Sequence, residues 1–223
     1  MKSVILRGSS EPIRVQKIIC LGQNYAEHAK EMKFDVPVSP VLFFKPPSAI
    51  IHQREKIVIP TLSNDVHHEV ELTVLIGKDG KDIPRESALR YVAGYGVGLD
   101  MTMRDVQLEA KKKGLPWSLA KGFDTSAPLS EFIPAALVGD AMSLSIQLKI
   151  NGKVRQSSGT SKLLFPVDTI IAYISQFITL ERGDVIYTGT PEGVSRVDHG
   201  DTLEAILQHA DGHVLASLSV SVR

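Results

Sequence analysis

One cysteine, Cys20, in 223 residues leaves no partner for an intrachain disulfide, so the fold must be held by its core. An excess of either charge is also lacking. Lys and Arg total 25 against 25 Asp and Glu, which removes the electrostatic footprint of a nucleic-acid or anionic-membrane binder. No apolar run approaches the roughly 20 residues of a membrane span. The opening Met-Lys-Ser-Val-Ile-Leu-Arg does not have the apolar stretch of a signal peptide. Internal repeats and low-complexity segments are absent. These features predict a cytoplasmic protein without membrane or nucleic-acid partners, or one sent to an organelle by a segment outside this sequence. The length suits one domain, residues 1–223, with ample chain for a real core.

What is present is mostly strand-like. Apolar or alternating runs occur at Lys17–Leu21, Val41–Phe44, Lys56–Ile59, His67–Ile76, Ala93–Leu99, Ser143–Ile150, Asp184–Tyr187, Thr202–Leu207 and Val214–Val222. Asn151-Gly152 and Asp211-Gly212 lie between such runs and read as hairpin turns, with Asp79-Gly80 a looser signal. Fewer segments predict helices. They are Tyr25–Met32, Arg85–Tyr91 after Pro84, Met103–Lys113 closed by Gly114, and Pro166–Phe177. The last places Ile170, Ile174, Phe177 and Ile178 on one stripe. Many strands, hairpins and few helices argue an α+β fold with a rolled or sandwiched sheet, and strand–helix alternation is not regular enough for a doubly wound one.

The stretch His67-His-Glu-Val-Glu71 is unusual for a strand bound for the interior. Strand alternation puts Glu69 and Glu71 on the same face, roughly 6–7 Å apart at Cα. A wet face would explain them, but that face continues with Thr73, Leu75 and Gly77, which are not charged. Two partly buried carboxylates repel and desolvate poorly, and a hard divalent cation relieves both problems. The zinc-protease pattern does not apply, because no second histidine follows at helical spacing. A third acid, Asp100, ends a strand with glycine at 94, 96 and 98, whose bare face marks close approach by something else. Thr102 then reads as a helix N-cap with Asp105 three residues on.

His28 and Glu31 lie three apart on the first helix and so are surface neighbours. A carboxylate beside imidazole sets its tautomer and raises its basicity, as a base acting on water requires. Without other context the pair is an incidental surface contact. Cys20 sits within an apolar strand and reads as core, not as a nucleophile.

In order along roughly residues 17 to 207 come Gly22-Gln-Asn-Tyr-Ala-Glu-His28, Pro40-Val-Leu-Phe-Phe-Lys-Pro46, His67-His-Glu-Val-Glu71, Leu99-Asp-Met-Thr-Met-Arg-Asp105, Pro116-Trp-Ser-Leu-Ala-Lys121, Leu148-Lys-Ile-Asn-Gly152 and Thr188-Gly-Thr-Pro-Glu-Gly193. Each piece alone is weak, but the ordered set resembles the fumarylacetoacetate hydrolase family, and in its compactness the acylpyruvate hydrolase and oxaloacetate decarboxylase branch. The resemblance implies a mixed β-roll of that family's C-terminal-domain type, a Mg²⁺ or Mn²⁺ cofactor, a small 2-oxo acid substrate and a homodimer. It implies Glu69, Glu71 and Asp100 as metal ligands and His28 and Glu31 as a catalytic dyad. Lys121 would act in catalysis, and Thr190, Gln107 and Gln23 would touch substrate. Gln23 stands where several relatives carry arginine, which bears on the distal end of the substrate.

The implied activity is metal-dependent hydrolysis of a carbon–carbon bond in acylpyruvates such as acetylpyruvate and fumarylpyruvate, releasing pyruvate. Oxaloacetate decarboxylation passes through the same enolate. The alternatives are an isomerase or decarboxylase of 2-hydroxy-diene-dioates, and, in another class, a metal-binding β-roll without catalysis.

Overall fold

The computed structural model describes residues 2–31 and 36–223. Its largest sheet has six strands in the order Ile133–Pro134, Val92–Leu99, Val70–Ile76, Val185–Tyr187, Ile18–Gly22 and Val41–Lys45. All neighbours are antiparallel except Val185–Tyr187 and Ile18–Gly22, which run parallel. A second sheet orders Lys153–Gly159, Leu144–Ile150, Thr202–His209, Val214–Val222 and Lys56–Ile57. Val70–Ile76 and Val92–Leu99 pack against this second sheet. Mixed sheets with few helices make the fold α+β, as the strand count predicts.

The two sheets differ in how they are covered. Leu144–Ile150 alternates buried and half-buried residues, so only one face meets the core. Every residue of Val70–Ile76 is buried. Val70, Leu72, Val74 and Ile76 join Ile146, Leu148, Leu203 and Leu218 in the main core. Leu75, on the opposite face, joins Ile18, Cys20, Phe132, Val185 and Tyr187 in a smaller one. Each such aliphatic side chain contributes about 1.5–3 kcal/mol relative to exposure. Cys20 lies in this smaller core, and burial pushes its thiol up, as expected of an inert residue.

Several expectations need correction. The strand expected over His67–Ile76 is broken at Glu69: Val66–His68 belongs to a three-stranded sheet with Thr102–Met103 and Ser195–Arg196, and Val70–Ile76 to the six-stranded one. Arg85–Tyr91 is a 3₁₀ helix, packed against the α-helix Val167–Phe177. Thr102 lies in a two-residue strand and caps nothing; Met103 is the cap position of the helix Arg104–Lys112, with no side-chain bond. Phe177 is exposed, while Val167 and Ile171 share the buried face with Ile170 and Ile174. The first helix runs over Ala26–Glu31, and Met32, its expected last residue, lies outside the described residues.

The Asn151-Gly152 turn joins two paired strands with both residues at positive φ, 49° and 76°, as a tight primed hairpin turn demands. The glycines of Val92–Leu99 are filled by chain and not by ligand. A Cβ at Gly94 would stand 2.4 Å from the Ile133 carbonyl oxygen, and one at Gly96 would stand 2.9 Å from Ser130 Oγ. No helix among the described residues is long and apolar enough to cross a membrane.

Candidate active site

The break at Glu69 does not separate the two glutamates from the third acid. Val70 is the register partner of Leu99 in the antiparallel pair, so Glu69 and Asp100 extend the two strands side by side. The Asp100 amide donates to the Glu69 carbonyl oxygen at 2.8 Å, which closes that end of the ladder. One carboxylate oxygen from each of Glu69, Glu71 and Asp100 lies within 4.8 Å of the others, and all three residues are buried. Oxygens around a Mg²⁺ or Mn²⁺ ion at about 2.1 Å are roughly 3–4 Å apart, so the triad needs only a small closure to hold one.

Electrostatics supports the same occupant. Glu69 is opposed by burial, but Lys121 and Arg104 outweigh this and hold its carboxyl well below the usual range. Glu71 goes the other way: burial, then Asp100 and Glu69, push it well above. Its one backbone donor, the Gly189 amide at 2.6 Å, does not compensate. Asp100 Oδ1 is buried and 2.8 Å from Lys45 Nζ, yet no hydrogen bond is aligned on it. Among the described residues Glu71 has no cation at ion-pair distance; a bound cation would supply it, and an all-oxygen donor set selects a hard one. Gly189 is placed for its role by its backbone. Its φ is +100°, and a Cβ there would come within 2.7 Å of Asn24 Cβ.

Three cations surround the triad. Lys121 Nζ is 2.8 Å from Glu69 Oε2, 2.6 Å from Asp100 Oδ2 and 2.6 Å from Thr102 Oγ1. Burial works against its charge, but Asp100 and Glu69 raise it above an ordinary lysine. Arg104 Nη2 donates to Glu69 Oε1 and Nη1 to Gln107 Oε1 at 2.7 Å. Lys45 Nζ bonds the Met101 carbonyl at 3.1 Å, Ser126 Oγ at 3.0 Å and the Lys121 carbonyl. Lys45 and Arg104 were not among the sequence candidates, although both stand inside the quoted motifs. A charged residue in the middle of an apolar motif is the signal that could have found them.

A cleft beside the triad is lined by Gln23, His28, Gln107, Lys121, Thr190 and Glu69. Thus every expected catalytic and substrate-contacting residue except Glu31 borders it, together with Phe43, Arg104, Lys111 and Trp117, which were not expected. Glu31 stands one step back: its Oε2 lies 3.2 Å from His28 Nδ1, and its carboxylate accepts from the Gly193 amide at 3.2 Å. Glu31 can accept only from Nδ1–H, which leaves Nε2 as the nitrogen with the lone pair. Gln107 has a settled orientation too. Its Oε1 faces a guanidinium that can only donate, so its Nε2 is the group left for the cleft. The Thr190 hydroxyl gives its proton to the Val70 carbonyl at 2.9 Å and accepts from Gln156 Nε2 at 2.8 Å. It therefore has no proton to offer a substrate carboxylate. Gln23 takes a φ of 60° at the mouth of the helix. Lys111 sits 4.8 Å over the Trp117 ring; burial, then Arg104 and Lys121, push it down to about 8.

Known proteins share this architecture. The family described as "Fumarylacetoacetate (FAA) hydrolase C-terminal" matches residues 17–218. The mouse protein named oxaloacetate tautomerase FAHD1, mitochondrial, is 50% identical over 190 residues, 85% of this chain and 86% of its own. Oxaloacetate tautomerase YcgM of Escherichia coli K12 is 47% identical over 204 residues, 91% of this chain and 92% of its own. The crystal structure of fumarylpyruvate hydrolase from Pseudomonas aeruginosa, in complex with Mn²⁺ and pyruvate, superposes with a TM-score of 0.92 at 39% identity, covering 99% of this chain and 94% of that one. With a family match over nearly its whole length and relatives of this identity, the chain belongs to the fumarylacetoacetate hydrolase family.

Proposed function

We propose that this protein is a Mg²⁺- or Mn²⁺-dependent enzyme that forms and protonates the enolate of a small 2-oxo acid carrying a second carbonyl or carboxyl group. Oxaloacetate tautomerisation is the first activity and acylpyruvate hydrolysis the second. The observation that carries the reading is a buried three-carboxylate cluster whose Glu69 lines one cleft together with Lys121 and His28. Tautomerisation is an activity that the sequence motifs did not suggest by themselves; the names of the mouse and E. coli relatives introduce it.

Glu69, Glu71 and Asp100 would hold the ion, which supplies Lewis-acid polarisation of the 2-oxo carbonyl. Lys121 adds positive charge where the enolate oxygen develops and is kept charged by Asp100 and Glu69. In tautomerisation His28 Nε2 would move one proton between the 2-oxygen and C3, taking it from the enol hydroxyl and giving it to C3 as the keto form is made. In hydrolysis it would take a proton from water, whose oxygen adds to the acyl carbonyl, and return it to C3 as the C3–C4 bond breaks to leave a carboxylic acid and pyruvate. Glu31 orients the ring and stabilises the imidazolium that forms. Gln107 Nε2 and Gln23 offer amide donors to the substrate, and Thr190 bounds the cleft by its backbone. Three cations already oppose the three acids, so with a divalent ion bound the site is net positive. A doubly charged 2-oxo dicarboxylate matches that balance. Hydrolysis is favoured as the second reading by the His28–Glu31 dyad, which decarboxylation alone would not need.

The test assays metal-free protein with Mn²⁺ restored. Decay of the oxaloacetate enol and pyruvate release from acetylpyruvate, fumarylpyruvate and oxaloacetate are followed side by side. Oxalate, which mimics the enolate of pyruvate, should inhibit competitively. No turnover of any of the three by Mn²⁺-loaded protein would remove the reading. The cytoplasmic location and the homodimer remain parts of the proposal. Light scattering that gives the monomer mass of 24.3 kDa would remove the dimer.

A further inference from the structure

Gln156 lies on the five-stranded sheet, away from the sequence motifs, and is 1% exposed. Its amide makes four hydrogen bonds. Oε1 accepts from the Val70 amide at 3.0 Å and faces His68 Nδ1 at 2.9 Å. Nε2 donates to Thr190 Oγ1 and to the Pro191 carbonyl, both at 2.8 Å. Its orientation is forced, because the Val70 amide can only donate and the Pro191 carbonyl can only accept. The tautomer of His68 follows: Nδ1 carries the proton, and Nε2 accepts from Ser195 Oγ at 2.8 Å. Burial pushes His68 down to about 4, consistent with a neutral ring.

What the four bonds join matters more than their number. Val70 is the residue between Glu69 and Glu71. Thr190 and Pro191 follow Gly189, whose amide holds Glu71 Oε2. We infer that Gln156 is a positioning residue, whose amide, beside the direct bonds of Thr188 to Leu72 O and of Thr190 to Val70 O, fixes the strand bearing the two glutamates against the loop bearing Gly189 and Thr190. The Thr190 hydroxyl is already spent on Val70 O, and an unbonded Val70 amide would be buried.

The inference rests on the triad being a metal site, and the experiment separates the two. Mn²⁺ is titrated calorimetrically into metal-free wild type, Gln156→Met and Gln156→Glu, with thermal unfolding alongside. Methionine fills the volume but makes none of the bonds. Glutamate keeps both acceptor bonds to the strand side and turns the donors facing the loop into an acceptor. Removing a partner that orients metal ligands typically weakens metal binding about 10–100-fold. Gln156→Met should fall in that range while still unfolding cooperatively, and Gln156→Glu should weaken binding by less. Hydrogen exchange at the Gly189 amide should accelerate in both metal-free variants. Affinity within twofold of wild type in folded Gln156→Met would overturn the positioning role, and Gln156→Glu decides by the same criterion if the methionine variant does not fold. Failure of both to fold, with wild type binding Mn²⁺, would make Gln156 purely structural and also overturn it. A wild type that binds no Mn²⁺ would remove the metal site itself, and the inference with it.

Discussion

Glu69 of the triad and His28 of the dyad border one cleft, but the two groups are built in opposite ways. Glu69, Glu71 and Asp100 stand at the ends of long paired strands, are buried, and are tied to Lys45, Arg104, Lys121 and the Gly189 amide. His28 and Glu31 ride on a six-residue helix, and among the described residues the Gly193 amide is the one hydrogen-bond partner that the Glu31 side chain has beyond that helix. Its side chain is 36% exposed. Charges that must stay fixed around an ion are set on the sheet. The group proposed to move a proton, His28, is set on a short helix. Mutations on the two sides should therefore separate stability from chemistry.

The largest effect is expected at Asp100. Asp100→Asn would remove one of the three carboxylates proposed to hold the metal, and it leaves two buried lysines without their shared carboxylate. Breaking a buried pair costs about 3–5 kcal/mol. A chain of this size loses about 2–4 °C in melting temperature per kcal/mol, so a fall of roughly 10 °C should accompany loss of Mn²⁺ binding and turnover. Glu71→Gln is the contrast within the triad. Among the described residues Glu71 makes no ion pair, and it is already pushed toward its neutral form, so the variant should lose metal affinity and activity with little change in melting temperature. Calorimetry on both variants decides it, and equal destabilisation would break the distinction between ligand and counter-ion.

His28→Ala sharpens the dyad side. Acylpyruvate hydrolysis and oxaloacetate tautomerisation should fall about 10²–10⁴-fold, the contribution of a positioned acid–base group. Oxaloacetate decarboxylation, which needs no activated water, should fall far less, and Mn²⁺ affinity and melting temperature should hold. Steady-state kinetics on the three reactions tests this. An equal loss on all would mean that His28 shapes the cleft and is not the base.

The smallest effect is expected where the two regions meet, at Lys111. It is pushed down to about 8, so it is charged below that pH and loses its charge as pH rises through it. If it attracts the far carboxylate of a dicarboxylic substrate, KM should rise above pH 8. The rise should be up to about fivefold, since a partly screened pair contributes up to about 1 kcal/mol. Lys111→Met should have the high KM at all pH values and a flat profile. A pH-dependent KM persisting in the variant would assign the titration elsewhere.

Much of the site was legible before any fold was known. Glu69 and Glu71 stand out because a charged pair cannot face an apolar interior alone, whereas His28 and Glu31 read from helix geometry as an incidental pair and took a role only from the resemblance. Strand breaks were less legible. The one at Glu69 is hidden because both of its sides carry the same apolar alternation, and only pairing to different sheets ends the strand. Arg85–Tyr91 looks helical from its preceding proline, but no local signal distinguishes the tighter 3₁₀ winding with which it packs on Val167–Phe177.

By itself, then, the sequence determined the residue types, the turns at Asn151-Gly152 and Asp211-Gly212, and the balance of strands over helices, since these depend on local backbone preference and apolar period. Tertiary structure decided what those residues meet. The register of Val70 with Leu99 brings Asp100 beside Glu69, the Gly189 amide reaches Glu71 across 118 residues, and Lys45 and Gln156 arrive from separate strands. The physical reason is that strand pairing and buried ion pairs are satisfied between residues far apart in the chain, where no local periodicity records the partner.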